Sequence, residues 1–277
     1  MKDGEDVGLD GILDSIGRAG MRISEIDASE GAAGNISVCL RGDVDPGERF
    51  PIVEEVELPS AVPELAGATF IVTGSGRRLR ELPDDPEGSL ACIVVDEGGA
   101  TGRMMTSSKR RFARVTTEFN SHLAVHYDRV LSGDLGFHAV LHAQPPHLTY
   151  ISHLERYQDE ERLNHRLLRW QPETIVQLPE GIGFIPFQVP GSGELMAATT
   201  GALGKHRIVV WARHGVVARS GVSVMQAVDL VEYAEAAARY EYLNIAAGEP
   251  ATGFATDEIL AICDSLGIPQ TIFGEGS

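Results

Sequence analysis

The chain has 277 residues, 43% hydrophobic and 23% charged, the proportions of a soluble globular protein able to bury one substantial core. Its 40 acidic against 23 basic residues give a formal net charge of −17, which repels phosphate backbones and anionic bilayers and argues against nucleic acid or a membrane as partner. An anionic small molecule is not excluded, because a few backbone N–H groups and hydroxyls hold a phosphate whatever the global charge.

Cys39, Cys92 and Cys263 stand far apart, each inside an apolar run. That argues against a disulfide framework or a Cys-rich zinc site and fits a reducing cytoplasm. The N-terminal segment carries acidic charges where a signal peptide needs basic ones, and no apolar run approaches the roughly eighteen residues of a membrane helix. A soluble cytoplasmic protein with one domain over 1–277 is expected.

In chain order, Leu9, Ile12, Leu13 and Ile16 recur at helical spacing, with Met21 further along, and the pattern stops at the glycines of 31–34. Short β-rich runs follow at 35–40, 68–72 and 91–95, separated by Pro, Gly and acidic residues. Residues 117–131 return to helical periodicity, 137–142 read as a strand and 147–156 as a helix. The run 174–178 reads as a strand, 194–203 as a helix, and 208–211 as a strand of four apolar residues. A long Ala-rich helix spans 224–247, with Gly248 and Pro250 as stop signals, and a last helix runs from Thr256 to Gly267. No solenoid or propeller period is present. Mixed helices and short strands predict an α/β or α+β sheet covered by helices.

His142 ends an apolar strand just before Pro145 and Pro146, and Gln144 follows at the spacing that puts a side chain on the same strand face. His214 has the same setting, after the strand 208–211 and before Gly215. Two strand-end histidines make a better case for a site than either alone. His122 and His126, four apart on one helix face, have chelating spacing but lack the intervening base of a protease-type zinc motif, so a packed pair is the favoured reading. Glu118 follows Thr116 and Thr117 at a helix start: the residues alone favour ordinary capping, against hydroxyls and N–H groups that bind phosphate beside a catalytic carboxylate. Gly74-Ser75-Gly76 could form a phosphate-holding nest or a plain turn, being neither a P-loop nor a dinucleotide fingerprint.

As an ordered set, "GNISV", "FIVTGSG", "TTE", "LHAQ", "PEGIGFIP", "VPG" and "WARHGV" resemble the class II aldolase/adducin family. The resemblance runs in register from about residue 10 to the last helix and is poor over 41–60 and 150–170. It implies that family's single-domain α/β fold, a central mainly antiparallel sheet covered by helices, assembled as a homotetramer. It implies reversible cleavage of a ketose 1-phosphate, L-rhamnulose 1-phosphate before others, to dihydroxyacetone phosphate and L-lactaldehyde. It further implies zinc or another divalent transition metal held by His142, His214 and position 144, with Glu118 as catalytic carboxylate and Glu173 as a second acidic residue near the metal. Asn35, Ser75, Gly76, Thr116 and Thr117 fall on phosphate-contacting positions. The departure is Gln144, where the family supplies a histidine. A neutral amide is a poor zinc ligand, so weaker binding, substitution by His147, or loss of the site as in the adducin branch all stand open. The aldehyde pocket is expected to be shaped by 150–170.

Overall fold

A computed structural model describes residues 8–42 and 44–274. Among the described residues nine strands are β1 Asn35–Leu40, β2 Ile52–Glu57, β3 Thr69–Thr73, β4 Leu90–Val95, β5 Thr101–Thr106, β6 Phe137–Ala143, β7 Gly183–Ile185, β8 Ile208–Trp211 and β9 Gly215–Ser220. They form one sheet in the order β2-β5-β4-β3-β1-β6-β9-β8-β7. Every pairing is antiparallel except that of β7 with β8. The helices are α1 Leu9–Glu25, α2 Pro86–Ser89, α3 Phe119–Gly133, α4 Pro146–Ile151, α5 Glu160–Leu167, α6 Pro172–Gln177, α7 Gly193–Leu203, α8 Val224–Ala246 and α9 Thr256–Leu266. No described helix is long and apolar enough to cross a membrane.

The strands β1 and β6 are buried along their whole length, so both of their faces must find cover. Ile36, Val38 and Leu40 of β1 join Ala139, Leu141 and Ala143 of β6 in the core with Ile12 and Ile16 of α1 and Val228 and Val231 of α8. Each Val, Leu or Ile among them contributes on the order of 1.5–3 kcal/mol when fully buried. The alternate residues face α3, and they are largely polar: Asn35 and Ser37 from β1, His138 and His142 from β6. The register sets Asn35 opposite His142 and Cys39 opposite His138. A period-two pattern that would normally put polar groups in water here places them under a helix, where each must be hydrogen-bonded or functional.

Several expectations change. The run 174–178 is not a strand: residues 172–177 form α6, with Pro172 pre-set at its start, and Ile175 and Leu178 pack fully buried in the same core as α8. Tertiary burial of that face outweighs the β-branched composition. The helix expected over 147–156 ends at Ile151 and resumes as a single tight turn, Glu155–Tyr157. The edge strand β2 was not anticipated, because "IVEEVE" is exposed and acidic. Its Glu54, Glu55 and Glu57 suit an edge that must not recruit another strand.

Candidate active site

Glu118, His142 and His214 come together from three separate elements. Each offers a ligand atom, and these atoms all lie within 4.8 Å of one another. The His142 Nε2 is 3.7 Å from Glu118 Oε2 and the His214 Nε2 is 3.5 Å from Glu118 Oε1. Glu118 is only 7% exposed and His142 2%, so the set is nearly dry.

Local backbone explains how each residue gets there. His142 sits at the end of β6, and its Nδ1 lies 2.9 Å from the carbonyl of Val216 on the adjacent strand β9. A carbonyl only accepts, so Nδ1 is the donor there and Nε2 is the nitrogen turned toward the carboxylate, the orientation a metal-ligating histidine needs. His214 hangs from the β8–β9 connection, where Arg213 adopts a left-handed backbone (φ 65°). That conformation is held by the Arg213 N–H donating to Ser152 Oγ at 2.8 Å and by the His214 N–H closing a turn on Trp211. Gly215 lets the two histidines approach: a Cβ there would stand 2.4 Å from the Ala143 carbonyl and 3.1 Å from the His142 ring.

Glu118 precedes α3 as its N-cap, yet its side chain makes no capping hydrogen bond. It accepts instead from Asn35 Nδ2 at 2.7 Å. This decides between the two readings of the Thr-Thr-Glu sequence: the carboxylate is turned into the site. Burial pushes its pKa up, but His142, the Asn35 hydrogen bond, His122 and His214 together outweigh that and hold it below the ordinary value. His214 is pushed below its ordinary pKa, first by burial and then by His142, against the pull of Glu118. A neutral imidazole is the form that binds a metal.

These groups open on a cavity of about 180 Å³ that is also lined by Asn35, Gly74, Ser75, Gly76, Thr116, Thr117 and Gln144. Except for Glu173, every site residue expected from the sequence is therefore gathered in one place. Glu173 stands exposed in the first turn of α6 and is not part of the cavity wall, because α6 is a helix docked beside α8 rather than a strand leading to the site. The stretch 150–170 does not line this cavity either. His147 does not stand in for the missing ligand: its Nδ1 lies 2.6 Å from Glu235, whose carboxylate also accepts the backbone N–H groups of His147 and Leu148 at the start of α4. His122 and His126 are a packed pair, bonded to Ser37.

Two roles were not legible in the sequence. Asn35, expected among the phosphate contacts, commits its amide nitrogen to Glu118, and its buried Oδ1 has no partner. Trp211, 2% exposed, packs its indole against both histidine rings, at centroid distances of 5.0 Å to His142 and 5.2 Å to His214. Its Nε1 donates to Thr199 Oγ1 at 2.9 Å. Nor is the Gly-Ser-Gly turn a full nest: the N–H groups of Gly74 and Ser75 already donate to the carbonyls of Ser89 and Arg114. The Ser75 hydroxyl, Gly76 and the threonines at the positive end of α3 are left to meet an anion.

Two histidines and a carboxylate are a donor set suited to a divalent transition metal. The residues present thus fit a divalent cation, and Gln144 lines the same cavity.

A buried carboxylate beside two strand-end histidines, at the edge of an antiparallel sheet whose polar face is roofed by a helix, is a set of groups that could hold a divalent metal. The chain belongs to the class II aldolase and adducin family: residues 15–242 match the family described as Class II Aldolase and Adducin N-terminal domain. It is 28% identical over 233 residues to a rhamnulose-1-phosphate aldolase of Klebsiella pneumoniae subsp. pneumoniae, covering 83% of each chain. It is 28% identical over 213 residues to the rhamnulose-1-phosphate aldolase of Enterobacter sp. (strain 638), covering 77% of this chain and 76% of that one. Among solved structures, a sugar-phosphate aldolase from Thermotoga maritima superposes with a TM-score of 0.73 at 26% identity, covering 88% of this chain and 99% of that one.

Proposed function

We propose that this protein is a metal-dependent aldolase that cleaves a ketose 1-phosphate, L-rhamnulose 1-phosphate before others, to dihydroxyacetone phosphate and L-lactaldehyde. The observation that carries the reading is the buried Glu118 carboxylate within 3.7 Å of two histidine Nε2 atoms at the wall of a hydroxyl-rich cavity. The names of the relatives support the choice of sugar phosphate. On the family resemblance the working form is a cytoplasmic homotetramer, which light scattering of the purified protein tests.

His142 and His214 would hold the cation, zinc or another divalent transition metal, with Gln144 and the Glu118 carboxylate beside them. When bound, the cation supplies Lewis-acid stabilisation of the negative charge that develops on substrate oxygens as the carbon–carbon bond breaks. The rest is done by the chain. Ser75, Gly76, Thr116 and Thr117 hold the phosphate at the N-terminus of α3, where hydroxyls and the helix dipole favour an anion, and so fix the reacting carbon relative to Glu118. Asn35 pins one oxygen of Glu118 and leaves the other to carry a proton: in cleavage the resting carboxylate takes the proton of the substrate hydroxyl that becomes the aldehyde and delivers it to the carbon left behind, and in synthesis the transfers run in reverse. Its lowered pKa makes Glu118 a carboxylate at rest, ready as a base. The Trp211 indole walls off the histidines from bulk water, which strengthens every charge interaction in the site.

Metal analysis of the purified protein together with a coupled assay for dihydroxyacetone phosphate tests this. Near-stoichiometric zinc, cobalt, manganese or iron and release from L-rhamnulose 1-phosphate are expected. A protein that neither contains nor takes up such a metal sinks the aldolase reading and favours a scaffold of the adducin kind. Release from L-fuculose 1-phosphate alone would keep the reaction and overturn the substrate.

A further inference from the structure

The β8–β9 connection that carries His214 runs from Ala212 to His214, and each of its backbone N–H groups is held by a different partner. Ala212 donates to the Ile185 carbonyl of β7 at 3.0 Å, His214 to the Trp211 carbonyl at 3.0 Å, and Arg213 to Ser152 Oγ at 2.8 Å. Two of these partners are backbone carbonyls, present whatever the side chains. Ser152 Oγ is a side-chain atom, and so the partner that a change of sequence can remove.

Ser152 is fully buried at the C-terminal end of α4, and its hydroxyl donates to the Thr149 carbonyl at 2.6 Å. A hydroxyl has one hydrogen to give, so what faces Arg213 is a lone pair. The residue is itself anchored. Its N–H donates to the Leu148 carbonyl at 3.1 Å, and its own carbonyl accepts from Gln158 Nε2 at 3.2 Å. Further along, Tyr157, Arg166, Arg169 and Trp170 all donate to the buried carboxylate of Glu241 on α8. The acceptor offered to Arg213 is therefore a fixed point of the fold.

What it holds is a backbone conformation that would not hold itself. Arg213 has φ 65°, a region that residues other than glycine seldom enter. A left-handed residue turns the chain sharply and so sets the direction in which the next side chain leaves. That next side chain is His214. Its ring stacks on the Trp211 indole at 28° with 5.2 Å between centroids, and its Nε2 lies 3.5 Å from Glu118 Oε1. With the Arg213 N–H released, the connection is free to relax toward ordinary backbone, and the ring leaves that place.

We propose that Ser152 is a positioning residue for His214: by holding the left-handed backbone of Arg213, it aims the imidazole into the site. The stretch 150–170, which lines no wall of the cavity, thus acts on the site through the backbone of the β8–β9 connection. This rests on the reading of His214 as a group of the metal site, but not on the identity of the sugar phosphate.

The first measurement needs neither metal nor substrate. In the NMR spectrum of the metal-free full chain, stacking on the indole should place the carbon-bound ring protons of His214 upfield of those of an exposed histidine. Ser152→Ala should abolish most of that shift and speed exchange of the Arg213 amide about tenfold, the equivalent of one net hydrogen bond. An unmoved His214 ring in folded Ser152→Ala overturns the proposal. The double variant Ser152→Ala/Arg213→Gly separates positioning from packing. Arg213 is exposed and glycine enters the left-handed region freely, so about half of the lost shift should return; no recovery would mean that Ser152 acts by its own packing and not through Arg213. At the metal, titration with cobalt(II) alone should show binding about tenfold weaker in Ser152→Ala, the lower end for a residue that orients a ligand. An unchanged affinity overturns the positioning role. A wild-type protein that takes up no cobalt would fell the metal reading, while the ring spectrum would still decide what places His214. If Ser152→Ala does not fold, exchange of the Arg213 amide in the wild type decides: protection upholds the bond, and exchange as fast as that of an unbonded loop amide overturns it.

Discussion

Two groups of histidines meet around the end of β6 and the helix α3, and they do opposite things. His142 and His214 meet Glu118 at a cavity wall, with the Nε2 of each turned to a carboxylate oxygen. His122, His126 and His138, a few residues away on α3 and β6, are sealed and bond to one another through Ser37. Residue type is the same in both. Access to a cavity and a carboxylate partner make one group a ligand set, while complete burial makes the other a neutral spacer. A histidine's chemistry is thus set by what its second nitrogen meets and by whether water reaches the first.

The contrast can be broken at its strongest point first. Glu118→Ala is expected to lower kcat about a thousandfold, the middle of the range for losing a general acid–base, in the dihydroxyacetone phosphate assay. Its melting temperature should change little, because Glu118 makes no capping bond. A large loss of folding would restore the capping role. Next, His142→Ala should weaken metal binding by more than about a hundredfold, beyond what an outer-shell residue costs, as read by metal analysis after dialysis. His126→Asn should leave bound metal in place, and metal loss in that variant would erase the distinction between the two groups.

The sealed group makes a prediction about pH. A histidine whose folded pKa lies below its unfolded value leaves stability intact above about pH 6.5 and erodes it as pH falls from there toward the folded pKa, because the unfolded chain binds the proton first. For His122 at about 4 and His138 at about 3, the loss by pH 5 is on the order of 2 kcal/mol each. Glu118 works in the same direction, but its window lies lower: its pKa is depressed, so its contribution is present above the ordinary carboxylate pKa and fades only below it. Urea unfolding at pH 7.5 and pH 5 measures this, and equal midpoints would mean that these rings are not held neutral. The smallest effect concerns the departure from the family pattern. Gln144→His should raise zinc affinity on the order of tenfold in a competition with a chelator, and unchanged affinity would show that residue 144 does not reach the metal.

Much of the molecule could be read from particular residues. The stripe of Leu9, Ile12, Leu13 and Ile16 and the apolar runs of β1 and β6 carry their own periodicity, and the structure has those elements with ends shifted by a residue or two. Which residues gather at the cavity was legible because the motifs around them resemble a family's as an ordered set. Less legible were segments whose fate is settled by neighbours: α6, helical because its apolar face docks beside α8; β2, a strand only because β5 offers its backbone; and Trp211, whose indole could have been ordinary core until it was found against two imidazoles.

Taken by itself, the sequence determined which side chains bring chemistry: a carboxylate after two threonines, histidines at two strand ends, and a glutamine where a third was due. Periodicity and composition are local properties, and they survive being read one residue at a time. The tertiary structure alone decided that Glu118 turns from its helix to Asn35, that Gln144 lines the same cavity as the histidines, that Glu173 stays outside it, and that a serine links three histidines into one chain. Those outcomes depend on the β1–β6 register and on where α3 lies across it, long-range pairings that no stretch of sequence contains.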